Sequence, residues 1–481
     1  MAVELVYAGT MLVPFYLPRH YATPLLDLGK LTAYSVSAGL TFAAATAVLF
    51  AAYYAAYRVV HGAGGAGGGI RPHGGVPRGG LVIVLFGLLF SATLALVYPY
   101  GAADIFDYTL YGRIVARYGA NPFLRAPAEF AGDPFLPYVA WPHLPFTYGP
   151  LWAALSAGLS YVGGESLLAN LLLYKGLAIA FYLASLLLIH SILRRLAPRY
   201  APAGLLLFAW NPLVVTETAA NGHNDVVMMA LVLLAIRLAL VGDARWRPLA
   251  LAGTVASALV KFATAMLAPL FVASIWRQGT STPGRLSGLG AGVIAAAGLT
   301  AAAYMPFWQG PATLAVQQRD ALFTASIPAL IKLTLESRLG VPDARLVGLV
   351  FLAAFGVYCL IEAWRLAPGV AALVAAGYRV TLIYLLFACL WFQPWYLIWL
   401  LALAAIRPVV DIAHLSMLFS FTATMNYFVF DYVWIWNAER LDFIAVQFIA
   451  VATIYTLPLA YGLWLLRGYR WAQRGEVVPS R

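Results

Sequence analysis

Long apolar runs alternate with short basic segments along most of the chain, and one long polar segment, residues 99–149, interrupts the pattern. A helix needs about 20 apolar residues to cross a bilayer. The predicted crossings are 31–57, 81–98, 167–193, 203–220, 225–241, 287–306, 346–364, 371–391, 395–406, 411–430 and 443–466. The run 150–163 is too short to cross at about 1.5 Å per residue and predicts an interfacial or re-entrant helix. The run 248–276 fits one long span, but Arg277 and Arg285 after it favour a hairpin.

The composition supports this interpretation. Hydrophobic residues make up 63% of the chain and charged residues 10%, whereas soluble domains carry about 25% charged residues. The apolar runs are too long for a β-barrel and lack its alternation. We therefore predict an all-α, polytopic integral membrane protein with about 11–13 transmembrane helices, which forms a single domain over residues 1–481.

The net charge of +11 is compatible with a nucleic-acid partner. However, the arginines are spread over short loops between apolar runs, which is the pattern of membrane topology. We therefore expect a lipid bilayer as the surrounding partner and no nucleic acid. The positive-inside rule places the basic loops in the cytoplasm and the segment 99–149 on the outer face. The first residues lack a basic stretch before an apolar run, so we expect no cleavable signal peptide.

The cysteines and histidines give no sign of a metal centre. Cys359 and Cys389 both lie in apolar runs and are predicted near opposite faces of the bilayer, too far apart to form a disulfide. No cysteine or histidine cluster has the spacing of metal ligands. We expect neither a metal nor a cofactor.

The polar segment 99–149 contains two carboxylates directly after an apolar span. A helix over 103–118 would place Asp104, Asp107 and Tyr108 on one face, and Gly119 would end it. A carboxylate just outside the hydrocarbon is well placed for proton chemistry, so Asp104 and Asp107 are the catalytic candidates; the alternative is a helix cap. The substrate-binding candidates of this segment are Tyr108, Arg113 and Tyr148.

A second group of polar residues follows at 210–225, between two predicted spans. It includes Glu217 and ends in the candidate binding residues His223, Asn224 and Asp225. Turn chemistry explains the Asn-Gly pair. It does not explain a histidine among so many polar residues at a membrane surface.

Lys261 lies within an apolar run, where a phosphate or a partner carboxylate would offset the cost of burying it. Lys175 and Arg379 raise the same question more weakly, since ion pairing or snorkelling explains each. An aromatic block supplies the binding candidates Gln393, Trp395 and Tyr396; the alternative is an interfacial aromatic belt. Arg319 and Asp320 are further pocket candidates without a motif.

Together these residues resemble the GT-C fold glycosyltransferases, and most closely the bacterial and archaeal polyprenol-phosphate-mannose-dependent mannosyltransferases. The resemblance covers roughly residues 80–405 and rests on short blocks: Asp104 to Tyr108, Gly112-Arg113, Gly119 to Phe123, Tyr148 to Leu151, Asn211-Pro212, Gly222 to Asp225, Lys261, and Pro394 to Tyr396. The resemblance implies a polyprenyl-phosphate sugar donor, no essential metal and an active site on the extracytoplasmic face of the cell membrane. The family's loop aspartate, its proposed base, matches Asp104, whereas relatives often have another small polar residue at the position of Asp107.

The expected function is transfer of a hexose, with mannose favoured, from a polyprenyl-phosphate sugar to a glycolipid or glycan acceptor, with inversion. The catalytic outer loop would be 99–149. The alternatives are a GT-C enzyme with another sugar, and a transporter or flippase of lipid-linked saccharides. The sequence shows neither repeated halves nor charged residues strung through several spans, which a transporter would favour.

Overall fold

The structure is a computed structural model that describes residues 1–65, 78–241, 246–279, 281–314 and 323–473. Arg319 and Asp320 lie outside these ranges. Within them the regular structure is helical, and the only β-type pairings are two isolated bridges, Tyr16–Val97 and Thr324–Trp391. The all-α prediction is therefore confirmed.

The α-helices of the described residues follow one another with short connections, many of them single turns of tighter or wider helix. They are α1 (Ala2–Tyr7), α2 (Leu17–His20), α3 (Leu28–Leu31), α4 (Val36–Gly65), α5 (Arg78–Ala95), α6 (Asp104–Ala116), α7 (Pro150–Gly163), α8 (Leu167–Leu196), α9 (Ala201–Ala209), α10 (Pro212–Val215), α11 (Asp225–Ala239), α12 (Pro248–Ala258), α13 (Ala268–Gln278), α14 (Thr282–Tyr304), α15 (Ile327–Arg338), α16 (Arg345–Trp364), α17 (Val370–Ile383), α18 (Leu397–Ala405), α19 (Val410–Phe428), α20 (Trp434–Trp436) and α21 (Phe443–Gln473).

Within the described residues, six helical stretches are long and apolar enough to cross a membrane: Val36–Gly62, Leu167–Leu196, Thr282–Phe307, Arg345–Trp364, Val370–Ala388 and Phe443–Arg467. A bent pair, Pro198–Ala209 and Pro212–Ala220, makes a seventh if it counts as one span. The multi-pass prediction is confirmed, but by length and hydropathy the described residues give fewer spans than the predicted 11–13. Two predicted crossings, 81–98 and 395–406, fold instead as shorter apolar helices, Gly79–Ala95 and Pro394–Ala405.

The run 248–276 folds as a hairpin rather than as one span. Its helices α12 and α13 are separated by Lys261, whose backbone is extended (φ −149°, ψ 121°), and by a 3-10 turn at Phe262–Leu267. Pro248, near the start of the run, and Ile275, near its end, both pack against Gly292 of α14. The chain therefore turns back on itself, with Lys261 near the apex.

The predicted helix 103–118 is observed as α6, and Gly119 (φ +58°) follows its end. The run 150–163, predicted to form an interfacial or re-entrant helix, is observed as the helix α7, which packs closely against α6: a Cβ on Gly112 would come within 2.3 Å of the Ser156 carbonyl. Only glycine allows this approach. The interface between α6 and α7 therefore fixes the polar segment against the bundle.

A break in the next span places the second polar group. Asn211 caps α10, its side chain accepting hydrogen bonds from the Leu213 and Val214 N–H groups, and Pro212 starts the new helix, which is bent by 55° from α9. The helix ends in a wide turn at Thr216–Ala220. Gly222 follows with φ +71°, and a Cβ there would lie 2.6 Å from the Ile105 side chain. This turn therefore brings the start of α11 beside the start of α6.

Candidate active site

Five segments that are distant in the sequence meet at one end of the helical bundle. They are the start of α6, the residues before α7, the turn before α11, the apex of the 248–276 hairpin and the turn before α18. Most of the predicted site residues lie on these segments.

Asp104, the proposed base, is oriented by a tyrosine from the other end of the polar segment. The Tyr148 hydroxyl donates a hydrogen bond of 2.6 Å to Oδ1 of Asp104. Asp104 is partly buried in the first turn of α6, so its carboxylate is held by the fold and still reachable. The geometry suits a general base with one oxygen fixed and one available.

Lys261 and Asp225 form a buried ion pair next to Tyr148. The Lys261 Nζ lies 2.9 Å from both carboxylate oxygens of Asp225, which also accepts a 2.6 Å hydrogen bond from the Trp399 indole. Asp225 is fully buried, while the Lys261 side chain is 15% exposed. The Lys261 ammonium lies 4.9 Å from the ring centre of Tyr396 and 5.8 Å from that of Tyr148. Of the two partners expected for this lysine, the structure shows the carboxylate.

His223 is held between an aromatic ring and a buried carboxylate. Its ring stacks on Trp395 at 4.0 Å between centroids, with 19° between the planes, and its Nε2 lies 3.3 Å from Glu217. Glu217 is 1% exposed and also accepts hydrogen bonds from the Asn221 amide (2.7 Å) and the Tyr427 hydroxyl (2.8 Å). Glu217 is thus the centre of a polar network. It was not predicted as a site residue, although an acidic residue inside an apolar run is a signal that could have found it.

Asn224 and Gln393 have side chains without hydrogen-bond partners among the described residues. Asn224 is fully buried, with neither its amide nitrogen nor its oxygen paired. Gln393 is partly buried and precedes the short turn Pro394–Tyr396. A buried polar group without a partner is costly. Both amides are therefore suited to the hydroxyls of a polar ligand.

Tyr108 lies behind Tyr148, with ring centres 5.2 Å apart, and contacts Trp152 at 5.1 Å. Burial, helped by neighbouring Tyr148 and Asp104, raises the pKa of Tyr108 well above its ordinary value. Its hydroxyl therefore stays neutral at physiological pH. In the structure it supports Tyr148 and through it Asp104.

Asp107 and Arg113 are occupied in holding the loop 120–149. Asp107 accepts hydrogen bonds from the backbone N–H groups of Ala140 (2.8 Å) and Trp141 (3.4 Å). Arg113, 2% exposed, binds Asp133 at 2.8 Å and Glu165 at 3.0 Å, and donates to the Gly164 carbonyl. The predicted catalytic role of Asp107 and substrate contact of Arg113 stay predictions, but the observed contacts are structural.

Two other cations in apolar runs have partners within the fold. The Lys175 Nζ, in α8, donates to the carbonyls of Val97 (2.6 Å), Ala219 (3.3 Å) and Ala220. It thereby caps the end of the broken span directly before the 221–225 turn. Arg379 pairs with Glu362 at 2.5 Å. Among the described residues, no group of three or more His, Cys, Asp or Glu side chains is arranged to hold a metal ion.

The fold and the site define a class: a multi-pass helical membrane protein in which an aspartate held by a tyrosine lies close to a buried lysine–aspartate ion pair. Residues 2–278 match the family described as alpha-(1->6)-mannopyranosyltransferase, N-terminal domain. The chain therefore belongs to the alpha-(1->6)-mannopyranosyltransferase family, as the resemblance implied. The matched region includes Asp104, Tyr148, Asp225 and Lys261.

Curated relatives agree with this family. An alpha-(1->6)-mannopyranosyltransferase of Mycobacterium tuberculosis is 29% identical over 161 residues, 32% of this chain and 26% of the relative. Alpha-(1->6)-mannopyranosyltransferase B of Corynebacterium glutamicum is 24% identical over 180 residues, 34% of this chain and 29% of the relative. A Mycolicibacterium smegmatis protein named probable alpha-(1->6)-mannopyranosyltransferase is 29% identical over 381 residues, 67% of this chain. The matches span 26%, 29% and 65% of the relatives' lengths, less than two thirds of each.

Proposed function

We propose that this protein transfers mannose from a polyprenyl-phosphate sugar to a hydroxyl of a glycolipid or glycan acceptor on the extracytoplasmic face of the membrane. The observation that carries the proposal is the meeting of Asp104, oriented by Tyr148, with the Lys261–Asp225 pair at one end of the bundle. A base and a cation close together match a reaction in which an acceptor loses a proton and a phosphate leaves. The family and the names of the relatives support mannose as the sugar.

The donor would bind with its isoprenoid chain in the bilayer and its phosphate at Lys261. An ammonium group has three N–H donors, and Asp225 occupies two of them. The third is available to a phosphate oxygen, and charge-assisted bonds of this kind are the strong ones. His223, stacked on Trp395, would supply a further donor to the phosphate or to a sugar hydroxyl.

Asp104 would act as the general base. The acceptor oxygen attacks the anomeric carbon of the mannose as Asp104 takes its proton, and the bond from that carbon to the phosphate oxygen breaks. Polyprenyl phosphate leaves with the bonding electrons. Attack from the face opposite the leaving group inverts the anomeric carbon, so a β-linked donor gives an α-mannoside. The names of the relatives favour an α-(1→6) linkage.

The test is transfer of radiolabelled mannose from polyprenyl-phosphomannose by the purified full chain, with lipid extract as acceptor and EDTA present. Asp104→Asn is compared with wild type and with Asp442→Asn, a matched control at the start of α21 whose carboxylate accepts from the Ala445 N–H. We expect wild type and the control to transfer label, and folded Asp104→Asn to lose at least a hundredfold in rate, the scale of general-base catalysis. Full activity in Asp104→Asn would show that Asp104 is not the base.

A further inference from the structure

A largely apolar cavity lies among the helices that run away from the proposed active site. It has a volume of about 790 Å³ and is formed by α17, α19, α21 and the residues after α18. The walls are mainly apolar and include Leu382, Leu386, Leu415 and Leu459. A cavity of this size suits part of a lipid chain rather than a small polar molecule.

The helices that form the cavity also fix its distance from the active site. α19 begins at Val410 beside the cavity, and its Tyr427 binds Glu217 in the active-site network. At about 1.5 Å per residue, Val410 and Tyr427 are roughly 25 Å apart along α19, whereas the eight residues from Trp399 to Arg407 span only about 12 Å. α18 runs in the opposite direction, from Trp399 in the active site to Ala405, two residues before Arg407 at the cavity. The arginine end of the cavity therefore lies about 12–25 Å from the active-site side chains along the helix axes.

Two arginines, Arg379 and Arg407, line this cavity, and only Arg379 has an acidic partner among the described residues. Arg379 binds Glu362. The partly buried Arg407 guanidinium has neither an ion pair nor a hydrogen bond with the described residues, and its contact is the Tyr378 ring at 5.9 Å. Arg379, which lines the same cavity, is a second cation and not a counterion. Asp411 also lines the cavity, but its electrostatic partners are His414 and Tyr461 on its own helix and on α21.

We propose that this cavity binds an anionic phospholipid of the surrounding bilayer, with its phosphate between Arg407 and Arg379 and an acyl chain along the leucine-lined wall. A planar guanidinium is well matched to phosphate oxygens. Leu463, Trp464 and Leu466 at the rim are 58–64% exposed, as expected for a surface that faces lipid. The apolar walls favour a lipid over free phosphate, because a free anion would leave them without a partner. This site is independent of the proposed sugar transfer.

The experiment is native mass spectrometry of the purified full chain in detergent, titrated with phosphatidylglycerol, with phosphatidylcholine of the same acyl chains, or with inorganic phosphate. The variant is Arg407→Gln. The matched control is Arg194→Gln, an exposed arginine at the same end of the bundle, in the last turn of α8. We expect phosphatidylglycerol to bind wild type more tightly than phosphatidylcholine. Arg407→Gln should weaken the binding of phosphatidylglycerol about fivefold, the effect of one basic residue near an anionic lipid, and should leave the binding of phosphatidylcholine unchanged. The control variant should bind both lipids as wild type does.

A second variant tests the chain-binding wall without changing charge. Gly462 lines the cavity, and no atom lies within 4 Å of the Cβ that a side chain would add there. Gly462→Trp should therefore fold and exclude both lipids. Equal affinity for the two lipids, or an unchanged phosphatidylglycerol affinity in Arg407→Gln, would overturn the proposal. Inorganic phosphate that binds in an Arg407-dependent manner and resists Gly462→Trp would overturn the lipid as occupant.

Discussion

Replacing Lys261 with methionine should destabilise the protein and abolish transfer for separable reasons. Asp225 is fully buried and would lose the ammonium group that lies 2.9 Å from both of its oxygens. Breaking a buried ion pair costs about 3–5 kcal/mol because the remaining charge has no counterion. The Trp399 indole still donates to Asp225 at 2.6 Å, so we expect a loss near the lower limit, about 3 kcal/mol.

The double variant Lys261→Met with Asp225→Asn separates stability from function. It leaves no buried charge, and neutral replacement of a buried pair is often harmless to stability. We therefore expect the double variant to recover most of the lost stability, with a coupling energy of about 2 kcal/mol. It should remain inactive, because no cation is left to bind the donor phosphate.

The assay is the midpoint of thermal unfolding in detergent, followed by donor binding and mannose transfer. Lys30→Met is the control, because Lys30 pairs with Asp27 at 3.2 Å while both side chains are largely exposed, and such pairs contribute about 1 kcal/mol or less. A double variant that binds and transfers the donor would refute Lys261 as the phosphate ligand. A Lys261→Met variant as stable as wild type would refute the buried pair.

Three further predictions concern the supports of the site and its orientation. Arg113→Ala should lower the free energy of unfolding by about 3 kcal/mol or more, because Asp133 loses its counterion. It should also speed proteolysis of the loop 120–149, whereas the control Arg117→Ala, which changes a 46% exposed side chain, should not. Equal cleavage of the two variants would contradict this prediction. Lys175→Met should lower the free energy of unfolding by about 2 kcal/mol, because the Val97 and Ala219 carbonyls lose their donor. Lys175→Arg should lower it less, and thermal unfolding measures both variants. An equal loss in both would show that packing, and not the hydrogen bonds, is responsible. Gly132→Cys lies in the exposed loop with open space at its Cβ, and it should react with an impermeant maleimide on intact cells. Arg194→Cys should react only after the membrane is opened. The reverse pattern would contradict an extracytoplasmic active site.

The sequence predicts the helices well because hydropathy changes sharply where a helix leaves the apolar interior. The predicted span 346–364 is observed as Arg345–Trp364, and the short run 150–163 as Pro150–Gly163. The number of crossings is less predictable. The hydropathy of 203–220 does not reveal the 55° bend at Asn211–Pro212, since the bend depends on how two short helices pack.

The site shows a similar limit. The sequence identifies Asp225 and Lys261 as unusual, because charged residues next to or within apolar runs are costly. It does not show that they pair, since 36 residues and a hairpin separate them. Glu217 was visible in the same way, but its partner Tyr427 lies 210 residues further along the chain. Single residues can thus be predicted from local pattern, whereas contacts require the packing of distant helices.

The two carboxylates of α6 show how the roles of predicted residues can be distinguished by experiment. Spacing places Asp104 and Asp107 on one helical face, but one turn separates them along the axis, so they meet different neighbours: Asp104 meets the Tyr148 hydroxyl and Asp107 the backbone of Ala140 and Trp141. An asparagine oxygen can accept the same N–H bonds, so Asp107→Asn should retain the loop and most of the transfer activity. Asp107→Ala leaves the Ala140 N–H unpaired and should lower activity by displacing the loop.

These two variants are measured beside Asp104→Asn in the same transfer assay, and proteolysis of the loop 120–149 reports its order. If Asp107 anchors the loop, Asp107→Asn keeps both the transfer activity and the order of the loop. Asp104→Asn then loses the activity but keeps the order of the loop. If Asp107 itself takes the acceptor proton, Asp107→Asn fails as completely as Asp104→Asn while the loop stays resistant to protease. Because Asp107 and Arg113 both fix the loop to the helix that carries Asp104, we expect the first result: the base and the loop are held as one unit.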